Sequence, residues 1–226
     1  MRLRSMARCA AGDVYFLATP ALKKVGGLYI SAGIHGDEPA ASEALVTWAE
    51  QHARSLRDLP LILFPCLNPW GLTQNIRLDE NGIDLNRAFN TGGSAVIESL
   101  KQIIAPYQFK LALCLHEDYD AEGFYLYEVR RGKPYWGEEL LERISEVIPV
   151  DSRPKIDGRV ARSGLIRRRI DPALFERIGH PEAIYLHQHH SVHALTLETP
   201  SEFALERRVA AHVRAIEECF RRLRSP

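Results

Sequence analysis

The chain has 226 residues, with 29 basic and 29 acidic side chains and 46% hydrophobic residues, the composition of an ordinary soluble globular protein. Because the formal net charge is zero, no long-range field draws the protein onto nucleic acid or an anionic membrane, and we expect neither as a partner. No apolar run approaches the roughly 18 residues of a membrane-spanning helix, and the first residues lack the apolar stretch of a signal peptide, so we expect a cytoplasmic protein.

Four short apolar runs recur along the chain, and a polar residue follows each of them. Short, continuous runs of this kind are typical of strands buried on both faces, as in a sheet covered by helices. The runs are residues 28–34, 61–67, 111–115 and 192–197, and the polar residues that follow are His35, Asn68, His116 and Glu198.

Helical patterns lie between and after these runs. Residues 41–52 keep apolar side chains on one face and follow Pro39, a residue allowed in a first helical turn. Residues 205–223 repeat the pattern, and residues 199–202 before them have the form of a capping box. Alternating strands and helices predict an α/β fold, with an open, mostly parallel or mixed sheet and helices on both faces. No repeat or linker divides the chain, so we expect a single domain over residues 1–226.

The polar residues at the strand ends are expected to meet. In open α/β sheets, ligands bind beyond the carboxyl ends of the strands. If the four strands are parallel, His35, Asn68, His116 and Glu198 converge on one cleft. The strand directions are the condition on which this prediction depends.

The segment after the first run carries two metal-ligand residue types. His35 and Glu38 lie three residues apart, between a predicted strand and a predicted helix. Zinc accepts imidazole nitrogen and carboxylate oxygen together, and a catalytic zinc site takes three protein ligands plus a water. We favour His116 as the third ligand, because a residue that ends a buried strand is rigidly aimed. A chance pair on a loop is the alternative interpretation.

Several further motifs follow in a fixed order. They are Asn68-Pro-Trp-Gly71, Arg77, Gly82-Ile-Asp-Leu-Asn-Arg-Ala-Phe89, His116 and Glu198. Together with the His-x-x-Glu pair, they resemble the zinc metallocarboxypeptidase family, especially its compact bacterial members such as the murein peptide amidases. The resemblance extends from residue 28 to about residue 200. It implies a zinc carboxypeptidase-like fold with one Zn²⁺ per chain, bound by His35, Glu38 and His116.

The resemblance also implies how the remaining matched residues act. Glu198 corresponds to the general base and acid of the family, and Arg77 to the arginine that polarises the scissile carbonyl. Asn86 and Arg87 correspond to the pair that grips the terminal carboxylate of the substrate. The implied substrate is therefore a small peptide, or a peptide-like molecule, with a free carboxylate. Taken singly, each residue could instead serve a turn, a cap or a solvated loop.

Two features depart from the family pattern. The family supplies a tyrosine between the third ligand and the catalytic glutamate; Tyr185 lies in that interval, but no motif surrounds it, so we leave it out of the catalytic set. An acidic stretch over residues 117–122 follows His116. It could attract a cationic group of the substrate, hold a second ion or form a solvated loop.

Two other functions compete with the peptidase. The related succinylglutamate desuccinylase/aspartoacylase branch shares the ligand plan but removes the acyl group of an N-acyl amino acid. That branch tends to place its arginine closer to the Asn-Arg pair than Arg77 is to Asn86, and it carries a β-domain where this sequence predicts one helix after Glu198. We therefore favour the peptidase. A non-catalytic binding module on the same fold would lack a ligand or the base, and the sequence lacks neither.

Overall fold

Strands and helices alternate along the chain, as predicted. The structure, a computed structural model, describes residues 2–168, 170 and 179–224. Its strands are β1 (Arg4–Cys9), β2 (Gly12–Ala18), β3 (Val25–Ser31), β4 (Leu61–Phe64), β5 (Gln108–Asp118), β6 (Tyr125–Arg130), β7 (Lys155–Ile156), β8 (Arg159–Val160), β9 (Leu165–Arg167) and β10 (His193–Pro200). The α-helices within the described residues are α1 (Pro39–Gln51), α2 (Pro69–Gln74), α3 (Ala95–Ile104), α4 (Gly137–Ser145), α5 (Glu182–His189) and α6 (Leu205–Arg224). In this part of the chain, no helix is long and apolar enough to cross a bilayer.

Eight strands form one mixed sheet, in the order β1-β2-β4-β3-β5-β10-β6-β9. The neighbours β4, β3, β5 and β10 are parallel to one another, whereas β2 and β6 run antiparallel to them on either side. The open, mixed α/β sheet is therefore confirmed. The four parallel strands are the four apolar runs of the sequence, so their carboxyl ends lie at one edge of the sheet.

Helices cover both faces of the sheet, and each face has its own hydrophobic core. Helices α1, α4 and α6 pack on one face, where Trp48 of α1 stacks on Phe220 of α6 at a centroid distance of 4.9 Å. Helices α3 and α5 pack on the other face, through residues such as Leu100 and Leu186. Burial of apolar side chains on both faces holds the parallel strands rigidly in the middle of the molecule.

The predicted capping box before the last helix is wrong. Thr199 lies in β10, where it pairs with Glu117 of β5, and α6 begins at Leu205. The side chain of Thr199 contacts the Nε2 atom of buried His212 at 3.2 Å instead of a helix end. Strand pairing across the sheet outweighs the local capping preference of the sequence.

Candidate metal centre and active-site cleft

A cleft opens beyond the carboxyl ends of the parallel strands. All seven predicted site residues line it: His35, Glu38, Arg77, Asn86, Arg87, His116 and Glu198. His35 follows β3, while His116 and Glu198 lie near the ends of β5 and β10. The condition on strand direction is met, and the fold brings these three residues together from positions far apart in sequence.

His35, Glu38 and His116 form a buried group of potential metal ligands. Their side chains are almost fully buried, and one ligand atom from each lies within 4.8 Å of the others. The Glu38 carboxylate contacts Nδ1 of His35 at 2.5 Å and Nδ1 of His116 at 2.9 Å. Two imidazole nitrogens and a carboxylate that point at one small volume fit a zinc ion in donor type and number. Among the described residues, this is the one group of its kind.

Close packing fixes the loop that carries the first two ligands. Gly36 lies against the backbone of Gly71, at the start of α2, and a Cβ atom at Gly36 would come within 2.0 Å of it. Only glycine fits this close approach. The packing therefore fixes the backbone between the two potential ligands, His35 and Glu38. The neighbouring Glu117 accepts a hydrogen bond from the Ala40 amide at 2.6 Å and pairs with Arg208. It thereby ties the start of α1 to the end of β5, where His116 lies.

Asp84 supports His35 from the opposite side. Its Oδ1 atom lies 3.3 Å from Nε2 of His35, which leaves Nδ1 facing Glu38. A carboxylate on the far nitrogen of a ligand histidine fixes the tautomer and the ring orientation. Asp84 also accepts hydrogen bonds from the Arg77 guanidinium at 3.1 Å. Arg77 reaches the ligand group itself, 3.2 Å from Nδ1 of His35.

Charge in the ligand group is strongly coupled. Burial alone would raise the pKa of Glu38, but the imidazoles of His116 and His35 outweigh it and hold the pKa at about 2. Burial alone would lower the pKa of each histidine, and the charge of Glu38 outweighs it and raises both values. Without a metal, the group therefore favours an ionised Glu38, and Glu38 strengthens proton binding by both imidazoles.

Glu198 stands beside the ligands on the neighbouring strand. It pairs in register with His116 across β5 and β10, so both side chains leave the same face of the sheet. Desolvation by the surrounding protein raises the pKa of Glu198 to about 8; the charges of Glu38 and Asp118 act in the same direction, and His116 opposes them. A glutamate with a raised pKa beside potential metal ligands has the properties of a group that takes up and releases a proton.

Asn86 and Arg87 line the same cleft, on a short 3-10 turn over Leu85–Arg87. Asp84 caps this turn by accepting a hydrogen bond from the Asn86 amide at 2.9 Å. The Asn86 side chain accepts a hydrogen bond through Oδ1 from the Glu182 amide at 2.8 Å, so Nδ2 is the group that it can offer to a ligand. Arg87 donates one hydrogen bond to the Asn86 carbonyl at 2.9 Å.

Asn68 does not join the cleft, contrary to the predicted convergence. Its Oδ1 atom caps α2 by accepting a hydrogen bond from Gly71 at 2.9 Å. Its Nδ2 atom donates to the carbonyl of Leu78 at 3.0 Å and more weakly to that of Arg77. Backbone partners thus occupy both the oxygen and the nitrogen of the Asn68 carboxamide, and the side chain does not face the cleft. It shapes the loop that presents Arg77.

Two tyrosines of β6 line the cleft, and the sequence analysis missed both. Tyr125 donates to Asp118 at 2.8 Å, and Tyr127 donates to Asp157 at 2.5 Å. Burial, together with nearby carboxylates, raises the pKa of each phenol, so both remain donors at neutral pH. Arg168 lies over the ring of Tyr127 at 5.5 Å and adds a positive charge to this side. The alternation of polar and apolar residues in Tyr-Leu-Tyr could have indicated that both tyrosines lie on one face of a strand. Strands of the core show the same alternation, so the pattern does not indicate a cleft.

The two departures from the family pattern have structural explanations. Tyr185 lies in α5, packed on Phe89 at 5.2 Å and on His189 at 4.8 Å, and it does not line the cleft. In the acidic stretch, Glu117 is paired with Arg208 and Asp118 accepts from Tyr125. These two carboxylates belong to the walls of the cleft.

The fold and the ligand group together define an open, mixed α/β sheet with a candidate metal site at its strand ends. The sequence model of the succinylglutamate desuccinylase/aspartoacylase catalytic domain matches residues 24–116. This segment holds every predicted site residue except Glu198 and is desuccinylase/aspartoacylase-like in sequence. The resemblance inferred from the motifs is thereby confirmed, including its link to that branch. No curated protein sequence matches the chain.

Solved structures share the whole fold. A candidate metallopeptidase from Shewanella amazonensis SB2B superposes with a TM-score of 0.85 at 21% identity, over 98% of this chain and 86% of that one. Murein-tripeptide amidase MpaA from Escherichia coli O157 gives a TM-score of 0.65 at 18% identity, over 97% and 91%. A metallo-carboxypeptidase from Pseudomonas aeruginosa gives 0.65 at 20% identity, over 98% and 65%. At these identities the likeness establishes a common fold.

Proposed function

We propose that the protein is a zinc-dependent hydrolase that cleaves a C-terminal peptide bond, or a peptide-like amide bond, beside a free carboxylate. The observation that supports this proposal is one cleft lined by two kinds of group. His35, Glu38 and His116 provide a metal-ligand set, and Asn86 with Arg87 provides donors suited to a carboxylate. A substrate held by its carboxylate would present the adjacent amide to the metal side.

The reaction follows from the residues around this amide. Bound zinc would supply a Lewis acid and activate water at neutral pH. Glu198 would accept the proton of the attacking water and deliver it to the leaving nitrogen, a transfer suited to its raised pKa. Arg77, which reaches the ligand group and is oriented by Asp84, would stabilise charge on the carbonyl oxygen.

Recognition of the carboxylate rests on complementary hydrogen bonding. A guanidinium presents parallel N–H groups that match the two oxygens of a carboxylate. Arg87 already donates one N–H to the Asn86 carbonyl, which limits the rotation of the guanidinium. The Nδ2 group of Asn86 adds a neutral donor beside it.

A second candidate function is the deacylation of an N-acyl amino acid. The match of residues 24–116 to the desuccinylase/aspartoacylase model favours it. Both reactions cleave an amide bond beside a carboxylate. They differ in the group on the acyl side of that bond. A peptidase takes a peptide there, whereas a deacylase takes a simple acyl group.

Three substrates that share one leaving amino acid separate these functions. They are a peptide with a free carboxyl terminus, the same peptide amidated, and the N-acyl derivative of that amino acid. We expect the zinc-loaded protein to cleave the free-acid peptide at least about tenfold better than the amidated one in kcat/KM, because a charge-assisted hydrogen bond is lost. Chelation of the metal should abolish the activity.

Each other outcome has a distinct meaning. Cleavage of the N-acyl amino acid without the peptide would establish the deacylase. Equal cleavage of acid and amidated peptides would contradict carboxylate recognition. Metal binding with no hydrolysis of any of the three would leave a binding module on a carboxypeptidase-like fold.

A further inference from the structure

Glu182 is a buried carboxylate whose backbone contacts the turn that carries Asn86 and Arg87. It is the first residue of α5 and only 1% exposed. Its Oε1 atom accepts a hydrogen bond from the Tyr29 hydroxyl at 2.5 Å, and its Oε2 atom accepts one from the Ser31 hydroxyl at 2.8 Å. Both donors come from β3 and are themselves buried. The backbone amide of the same residue donates to Oδ1 of Asn86 at 2.8 Å.

We propose that Glu182 is a positioning residue for the carboxylate of the substrate: its anchored side chain fixes the backbone amide that holds the Asn86 carboxamide in one orientation. This inference rests on the proposed function, because it assigns the anchor to the recognition of that carboxylate. It adds Glu182, Tyr29 and Ser31 to the residues on which the reaction depends, although none of them lines the cleft.

The energetic character of the anchor supports a directional role. Burying a carboxylate costs free energy that an apolar side chain of similar size would not cost. The two oxygens of Glu182 accept hydrogen bonds from two hydroxyl groups on one rigid strand. These bonds fix both the distance of residue 182 from the sheet and the orientation of its side chain. An apolar residue would pack but would leave that orientation free.

The orientation of Asn86 is what the anchor controls. A carboxamide can turn by 180° and exchange its oxygen with its NH2 group, which differ little in shape. The Glu182 amide binds the oxygen, and this contact leaves Nδ2 as the donor for a substrate carboxylate. In the flipped orientation the oxygen would face the substrate and repel it.

Neighbouring contacts show how closely this segment fits the Asn-Arg turn. A Cβ atom at Gly179 would lie 2.4 Å from the carbonyl oxygen of Arg87. The His180 amide donates to the side chain of Asn90 at 2.8 Å, and Pro181 lines the cleft. The segment therefore lies against the turn from residue 179 to residue 182, and Glu182 is the point at which it is attached to the sheet.

Tyr29→Phe tests the anchor with little disturbance of packing, because the ring keeps its contacts with Phe64 and Phe109. With the free-acid peptide as substrate, we expect KM to rise roughly three- to tenfold, the effect of one lost hydrogen bond, with little change in kcat. Activity on the amidated peptide and zinc affinity should not change. Glu182→Gln, which keeps the shape and the backbone amide, should show the same pattern.

Two controls distinguish positioning from general destabilisation. Thr19 carries a buried hydroxyl that donates to the Leu59 carbonyl and does not line the cleft, so Thr19→Val should lower stability without raising KM. In an Asn86→Ala background, Tyr29→Phe should have no further effect on KM, since the group that it orients is gone.

The outcomes separate this inference from the proposed function. A wild type that does not distinguish acid from amidated peptide would contradict the proposed function and remove the basis of the anchor. A wild type that does distinguish them, combined with Tyr29→Phe and Glu182→Gln variants of unchanged KM, would overturn the anchor alone. Equal losses on both substrates, or full additivity with Asn86→Ala, would show a structural role and would also overturn it.

Discussion

Two parts of the cleft lining are built in different ways. The ligand wall, formed by His35, Glu38, His116 and Glu198, stands at or just beyond the carboxyl ends of three parallel strands. The substrate wall, named for the carboxylate binding proposed above and formed by Asn86 and Arg87, stands on a 3-10 turn in the connection between α2 and α3. Strands buried by helices on both faces carry His116 and Glu198 of the first wall, and close packing fixes the loop of His35 and Glu38. Individual hydrogen bonds with Asp84 and Glu182 hold the second wall.

This difference indicates how each wall should respond to mutation. Removal of a group from the ligand wall should remove chemistry while the fold persists, because the sheet supports the remaining groups. Removal of a group from the substrate wall should change affinity for particular substrates. The predictions below test this contrast.

The largest expected effect in turnover follows the loss of the proposed proton carrier. Glu198→Gln keeps the shape of the side chain but cannot accept a proton, so kcat should fall roughly 10²–10⁴-fold. Metal content and melting temperature should stay near those of the wild type, because Gln also fits the position beside His116. Turnover near the wild-type rate would remove Glu198 from the mechanism, and loss of the fold would show that its role is structural.

The substrate wall should show a smaller and selective effect. Arg87→Lys replaces a bidentate fork by a point charge, so kcat/KM for the free-acid peptide should fall on the order of ten- to hundredfold. The same variant should lose much less on the amidated peptide. Equal losses on the two substrates would contradict a direct contact between Arg87 and the carboxylate.

Support behind the ligand wall should matter for metal binding. Asp84→Asn keeps the cap on the 3-10 turn but weakens the contact with His35, so zinc affinity should fall about ten- to hundredfold in a competition titration. Asp157→Asn is a matched control, since Asp157 lines the cleft but contacts Tyr127 and not a ligand. Equal losses in the two variants would point to a general effect of charge in the cleft.

Acid should weaken metal binding in a defined direction. Zinc requires neutral imidazoles, and the charge of Glu38 raises the pKa of both His35 and His116 in the metal-free protein. Zinc binding should therefore release protons from these histidines even at a pH above their ordinary pKa. For each proton released, the affinity for zinc should fall by about tenfold with each unit by which the pH is lowered. Glu38, with a pKa of about 2, contributes no proton near neutrality. A zinc affinity that is independent of pH between 5 and 8 would contradict this coupling.

The ligand wall could be predicted from sequence because its information is local. His35, His116 and Glu198 each follow or end a buried apolar run. Because these strands are parallel, their carboxyl ends bring the three residues together. Asn68 shows the same pattern but does not line the cleft, because backbone groups of α2 and of the Arg77 loop use its side chain. A polar residue after an apolar run indicates a site only when the nearby backbone does not use its side chain.

The rest of the cleft depends on contacts that the sequence does not reveal. Glu182 meets its partners Tyr29 and Ser31 across more than 150 positions, and nothing in its neighbourhood marks it as buried. Tyr125 lies on an antiparallel strand, where a residue next to the cleft and a core residue follow the same alternation. Asn86 and Arg87 were found by resemblance to a family and not by a physical pattern.

The metal content of the purified protein tests the central claim most directly. Elemental analysis should find about one zinc ion per chain in the wild type, and none in His35→Ala or His116→Ala, because a catalytic site needs three protein ligands. His190→Ala is the matched control, since this histidine is also buried but contacts the Tyr107 carbonyl outside the cleft; its zinc should be retained. A wild type without zinc, or a His116→Ala variant that keeps its full content, would contradict the metal centre on which the account rests.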